Sequence, residues 1–252
     1  MSSGLPYKDF YYPLNVFMHI LTHEEGAVTY LHYGLFEKPG ETIGVAQERS
    51  TQLLLSRLPE PPASILEVGI GLATTLKKLT DLGYDVEGIT PDAKQIAMIR
   101  ARYGDAVRVH CAPFETFPAT RRYDLLVFQE SSQYIDSEAL FAKALTLSDE
   151  IVVLDEFSLK PLDAPGLHAL NDFLAAAARH GYELYENLDL SEQAVPTMEY
   201  FATRIPEYRE RLIADLALTG EQVDALVDSG ARYRELYREG VYGYRMLRLA
   251  RR

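Results

Sequence analysis

Cysteine occurs once in 252 residues, at Cys111, and tryptophan is missing altogether. A lone thiol excludes an intramolecular disulfide framework and any zinc or iron–sulfur cage built on cysteines. Bases are outnumbered too, with 25 Lys and Arg against 37 Asp and Glu and a formal charge of −12. A surface of that sign repels a phosphate backbone unless bases are concentrated in a patch. The bases that do gather, between Arg232 and Arg252, alternate with Glu and Tyr, as on a solvated helix face and strand end. No run of about 18 apolar residues occurs, and the opening MSSGLPYKDFYYPLNVF has no basic segment leading into an apolar one. The expectation is a cytoplasmic chain that engages neither nucleic acid nor membrane.

The length suits one α/β domain with an appended subdomain, or two small domains. From residue 64 onward, short β-rich runs alternate with amphipathic segments, the signature of βα units on a mostly parallel sheet. Strands are expected at 64–68, 85–89, 107–111, 123–128, 150–156, 182–190 and 242–250, with helices at 72–82, 92–102, 137–147 and 165–180. Residues 191–240 read as helices, an insertion long enough to form a cap before the last strand. Ahead of the first strand, NVFMHILTH and ETIGVAQERSTQLLLSRL have helical spacing, and Pro61 and Pro62 end the second of them. Ligands of open α/β sheets bind beyond the carboxyl ends of the strands, so both helical additions are placed to close over that edge.

The first strand runs into Glu67-Val68-Gly69-Ile70-Gly71-Leu72-Ala73-Thr74 and then a helix. Glycines permit a sharp turn and close ligand approach, and the helix start offers free N–H groups. A nicotinamide-binding turn would put Thr74 at its third small residue and an acid where Thr90 stands; an acid two residues before G-x-G-x-A fits better. With this turn, Gly88-Ile89-Thr90-Pro91-Asp92-Ala93-Lys94-Gln95 and Phe128-Gln129-Glu130-Ser131-Ser132-Gln133-Tyr134-Ile135, the span 64–135 resembles class I S-adenosylmethionine-dependent methyltransferases. The resemblance is to their small-molecule branch, which holds cyclopropane-lipid synthases and tocopherol and sarcosine methyltransferases, and His32-Tyr33-Gly34 stands where that branch has a His-x-Gly element.

The resemblance implies a doubly wound, mostly parallel, seven-stranded Rossmann-like sheet with an N-terminal helical lid and a helical cap. Its expected parts are a lead and lid at 1–60, an S-adenosylmethionine-binding core at 61–190, the cap at 191–240 and the last strand at 241–252. Carried over residue by residue, cofactor contacts fall to Tyr33, Glu67, Gly69, Gly71, Thr90, Gln95, Ala112, Phe114 and Gln129, with Glu67 facing the methionine ammonium. Glu130, Tyr134 and His32 are the catalytic candidates, and Tyr11, Tyr12, Glu156 and Tyr200 the substrate candidates. A solvated Glu67, and a Glu130 that merely caps the next helix, are the bland alternatives. Departures are the Tyr134 that replaces a family histidine, and Cys111-Ala112-Pro113 where an acid often holds adenine. Asp155 and Glu156 are neighbours in a strand, so at most one faces a pocket.

Seventeen Tyr and ten Phe supply ring faces that suit a sulfonium and an amine or heteroaromatic substrate. His19 and His23 are four apart, but two ligands make no metal site, and no metal is expected. The reading is therefore a small-molecule methyltransferase, monomeric or homodimeric, acting on an N-, C-, S- or O-nucleophile. A site that cyclises the cofactor or transfers another group, and a non-catalytic binding protein, are the rivals.

Overall fold

The computed structural model describes residues 5–161 and 166–251. The chain divides into two compact units, one made of residues 1–50 and 192–239, the other of 51–191 and 240–252.

The larger unit is built on seven strands, β1 (Ser64–Val68), β2 (Asp85–Thr90), β3 (Val109–Cys111), β4 (Leu125–Gln129), β5 (Glu150–Ser158), β6 (Tyr182–Asp189) and β7 (Tyr242–Arg251), in the order β3-β2-β1-β4-β5-β7-β6. The first five pair in parallel, and β7 runs antiparallel to both β5 and β6. In β4 all five residues, LLVFQ, are buried, because a central parallel strand is covered on both faces. Leu66, Val68, Phe128, Phe141, Phe157, Phe173 and Leu247 belong to one core cluster.

Helices α3 (Thr74–Asp81), α4 (Ala93–Tyr103), α5 (Ser137–Leu147) and α6 (Leu170–Arg179) alternate with these strands. Side chains set their starts. The Asp92 carboxylate accepts from Lys94 N at 2.7 Å, and that of Asp136 from Ala139 N at 3.0 Å, which satisfies donors that a helix start leaves open. The third strand begins two residues later than the composition suggests, at Val109, and the fourth starts at Leu125 and reaches Gln129. Helix α6 starts at Leu170, after Ala169 bridges to Ser158; residue 165, where that helix is expected to begin, lies outside the described residues, as do 1–4 of the expected lid and Arg252.

The second unit joins segments far apart in sequence. It holds α1 (Leu14–Glu25), the first part of α2 (Ile43–Leu55), most of α7 (Ser191–Glu207), then α8 (Arg209–Leu216) and α9 (Gly220–Arg238). The expected lead and the expected cap are thus one body. Gly34 is its tightest joint: a Cβ there would stand 2.6 Å from Ala46 Cβ, and its N–H donates to Thr197 Oγ1 at 2.9 Å. The Tyr12 hydroxyl donates to Gln222 O at 2.7 Å, and Thr219 with Gln222 forms a capping box on α9. Pro206, which reads as the start of a helix, lies in the last turn of α7, and the break falls at Tyr208. No helix among the described residues is long and apolar enough to cross a membrane.

Candidate active site

The turn after β1 has a left-handed backbone at every second residue: Gly69 at φ 75°, Gly71 at 50° and Ala73 at 58°. Alternation of this kind points successive N–H groups to one side and makes a concavity for anionic or polar groups. Close packing adds a second constraint at Gly69, where a Cβ would meet Ser131 Cβ at 2.2 Å. Ser131 in turn donates its hydroxyl to Val68 O, so the ends of β1 and β4 are tied together.

Two buried polar atoms at these strand ends have no hydrogen-bond partner among the described residues. Glu67, near the end of β1, is 3% exposed and its Oε2 accepts nothing; Gln129, the last residue of β4, takes Thr75 Oγ1 on its Oε1 at 3.1 Å and leaves Nε2 without an acceptor. Burial alone pushes the Glu67 carboxyl up to about 8. An orphaned acceptor and an orphaned donor in a dry strand edge are costly unless a ligand completes them.

At the end of β2, Thr90 Oγ1 donates to Gln95 Oε1 at 2.7 Å, so the two ribose candidates are brought together. Glu87 is occupied otherwise, by Arg121 at 2.6 Å and His110 at 2.9 Å. Ala112 N donates to Thr90 O at 3.0 Å, beside the same edge. The Phe114 ring is 2% exposed and packs edge-on against Phe128 in the core; it is a packing residue here, with no open face for a base to rest on.

Glu130 follows β4 with φ 54°, and its N–H donates to Leu154 O at 2.8 Å. A non-glycine residue held left-handed is strained, and such residues collect at functional sites. The Glu130 carboxylate accepts from the hydroxyl of Tyr244, a fully buried residue of β7, at 2.6 Å. Burial first, then the Glu130 charge, hold that phenol well above its usual range. Sequence reasoning missed Tyr244, because its partner lies 114 residues away and no local pattern names the neighbour of the last strand.

The two acids ending β5 divide their roles. Asp155 is wholly buried and accepts from Ser132 N at 2.9 Å, Ser132 Oγ at 2.7 Å and Gln133 N at 3.3 Å, fixing the short 3-10 turn Ser132–Tyr134. Glu156, 6% exposed, is paired across the ladder with Tyr244. Tyr134 is 73% exposed in that turn, so its phenol sits in water and not in a desolvated cleft.

The remaining candidates belong to the helical unit. His32 is buried, with Nδ1 2.9 Å from Tyr33 O and its ring 4.7 Å from that of Tyr30. Burial draws His32 down to about 4 against the opposing pull of that carbonyl and of Glu48, so the ring is neutral at neutral pH and Nδ1–H is the donor. Gln47 Nε2 donates to His32 O at 2.7 Å and fixes the element. Tyr33 is half-buried, whereas Tyr11 and Tyr12 are exposed. Tyr200 buries its hydroxyl without a hydrogen-bond partner among the described residues, beneath Arg204 at 5.4 Å from its ring.

No family model and no curated protein sequence matches this chain. Solved structures do. The (4+2)-cyclase SpnF superposes with a TM-score of 0.77 at 17% identity, covering 92% of each chain. A cyclopropane synthase from Mycobacterium tuberculosis gives 0.77 at 19% identity over 88% of this chain and 90% of its own. A geranyl diphosphate C-methyltransferase from Streptomyces coelicolor, solved with Mg2+, geranyl diphosphate and S-adenosyl-L-homocysteine, gives 0.68 at 17% identity over 98% and 99%. Likeness at these identities establishes a shared fold: the α/β architecture with its mostly parallel seven-stranded sheet is the one these enzymes use.

Proposed function

We propose that this chain is an S-adenosylmethionine-dependent methyltransferase acting on a small molecule. The observation that carries this reading is the orphaned pair, Glu67 Oε2 and Gln129 Nε2, buried at adjacent strand ends beside the glycine turn. An acceptor and a donor so placed complement the ammonium and carboxylate of an amino-acid moiety. Thr90 and Gln95 offer hydroxyl and amide groups for a ribose, and the Ala112 carbonyl is the group proposed for adenine, since the N–H of that residue is spent on Thr90 O. A nicotinamide cofactor fits less well, since Glu87 is committed to Arg121 and His110. S-adenosylmethionine bound there supplies a methyl group activated on its sulfonium.

The chain's own contribution is placement and a dry, polar lining. Glu130, held by its strained backbone and by the Tyr244 hydroxyl, is the carboxylate proposed to face the acceptor and steady positive charge on an amine or heteroaromatic nitrogen. Tyr244 positions it. With a formal charge of −12, a small molecule suits this surface better than nucleic acid or an anionic membrane, and the proposed setting is the cytoplasm.

Calorimetry tests the cofactor: S-adenosylmethionine binds at one site per chain and NAD does not. Failure to bind S-adenosylmethionine overturns the reading. A (4+2)-cyclase shares this fold, and a cycloaddition within the substrate would leave S-adenosylmethionine unconsumed, so mass spectrometry of the sulfur compound separates the uses of the site. Methyl transfer leaves S-adenosylhomocysteine, and cyclisation of the aminobutyrate arm leaves methylthioadenosine.

A further inference from the structure

The helical unit gathers three groups that the reading above leaves unused. His19 and His23 stand one turn apart on α1 with ring centroids 4.4 Å apart, and α8 supplies Asp215. His19 Nε2 lies 3.5 Å from Asp215 Oδ2, and one ligand atom from each of the three residues falls within 4.8 Å of the others. His19 is wholly buried and its Nε2 has no hydrogen-bond partner among the described residues. That is a second sign of a missing occupant, since a carboxylate oxygen 3.5 Å away is too distant to satisfy a buried ring nitrogen.

We propose that His19, His23 and Asp215 bind a divalent transition metal of the zinc type, which clamps α1 to α8. Two imidazoles and one carboxylate suit zinc and its neighbours, whereas calcium and magnesium take oxygen ligands. Geometry agrees. Bonds of about 2.0–2.1 Å set the edge of a tetrahedral site at roughly 3.3–3.4 Å, and the His19–Asp215 gap of 3.5 Å already matches it. His23 is exposed and has room to close the rest of the distance, with water in the fourth position.

The outer contacts fit the same role. Nδ1 of His19 lies 3.2 Å from the Tyr7 hydroxyl, the arrangement that orients a ligating imidazole and leaves its other nitrogen for the metal. Burial, and then the neighbouring His23, lower the His19 pKa below its usual 6.5. The charges around it are His23, Asp215 and Arg211, the last lying 5.7 Å over the Tyr208 ring. Arg211 opposes a cation and Asp215 favours it.

The test uses the full chain without an affinity tag, stripped with a chelator and titrated with Zn2+ alone and with Co2+ alone. One zinc per chain is expected, together with the visible absorption of four-coordinate cobalt and a rise in Tm with zinc. His23→Ala and Asp215→Ala, both at accessible positions, weaken zinc at least about tenfold with unchanged far-UV spectra, whereas His110→Ala in the sheet unit leaves zinc affinity as it was. Absence of binding, or equal affinity in the parent, His23→Ala and Asp215→Ala, overturns the site. Neither result bears on S-adenosylmethionine binding, which is measured separately.

Discussion

The sheet unit and the helical unit each bury a titratable group that resemblance singled out, and the two behave oppositely. Glu67 rises from 4.5 to about 8 and has an oxygen with no hydrogen-bond partner among the described residues. His32 falls from 6.5 to about 4, with Nδ1–H on the Tyr33 carbonyl and a glutamine holding its backbone. Burial neutralises both. The difference lies in completeness: His32 is held by its own neighbours, whereas Glu67 keeps an oxygen without a hydrogen-bond partner among the described residues.

The largest expected effects come from forcing a side chain into the tight glycine of each unit. Gly69→Val meets Ser131 at the sheet edge and demands a left-handed valine. Overpacking and the backbone penalty together cost about 3 kcal/mol or more, so both stability and cofactor binding are lost. Gly34→Val meets Ala46 and the backbone of Gln47, an overpacking cost of about 1–3 kcal/mol. Urea unfolding checks the order. A Gly69→Val chain as stable as the parent would show that the turn is looser than drawn.

Next comes Glu67→Gln, which keeps the shape and removes the charge. S-adenosylmethionine affinity falls about 10- to 100-fold, the worth of a hydrogen bond to a charged group. In the parent, the ligand's ammonium requires Glu67 ionised, so binding releases a proton and affinity climbs with pH up to about 8; in Glu67→Gln that climb is absent. Stability carries the same contrast with its sign reversed between units. Folded Glu67 keeps its proton to about 8 and the unfolded one only to 4.5, so the ligand-free chain loses stability as pH rises through that window. Folded His32 refuses a proton until about 4 while the unfolded ring takes one near 6.5, so stability there rises with pH. Unfolding midpoints across pH for the parent and Glu67→Gln separate the two slopes.

Legibility in the sequence followed how local each feature is. All seven strands were readable, β1 and the helix 137–147 to the residue, because period and turn residues sit within the segment itself. The left-handed turn at Gly69 and Gly71 and the nearness of Thr90 to Gln95 follow from pattern within single βα units, while their roles toward a cofactor are proposals. The union of the lead and the insertion was not, since it rests on contacts such as Gly34 with Thr197, 163 residues apart. Asp155 escaped for a related reason: an acid at a strand end looks the same whether it faces a pocket or caps a turn, and only the position of Ser132 decides.

A medium effect is expected for Tyr244→Phe, which deletes only the hydroxyl on Glu130. Stability falls by about 1–3 kcal/mol, the cost of an unpaired group, and turnover drops while S-adenosylmethionine affinity is nearly unchanged, because a positioning group acts on the reacting partner. The split between kcat and cofactor affinity distinguishes this role from a purely structural one. A fall in both together would assign Tyr244 to folding alone.

The smallest change is Ala73→Gly, at the third left-handed position of the turn. Relief of the left-handed backbone contributes about 1–2 kcal/mol in favour of glycine. Against it stand the methyl group of a fully buried alanine, about 0.8 kcal/mol by transfer, and about 0.4–1 kcal/mol of added freedom in the unfolded chain. These offset to within about 1 kcal/mol, so the urea midpoint moves little and S-adenosylmethionine affinity is retained. The near-cancellation explains how alanine is tolerated here in a conformation that favours glycine, while Gly69, blocked by Ser131 as well, has no such freedom. A loss of more than about 2 kcal/mol in Ala73→Gly would mean that the methyl packs against more than burial alone implies, and that the turn is held by its side chains rather than by its backbone.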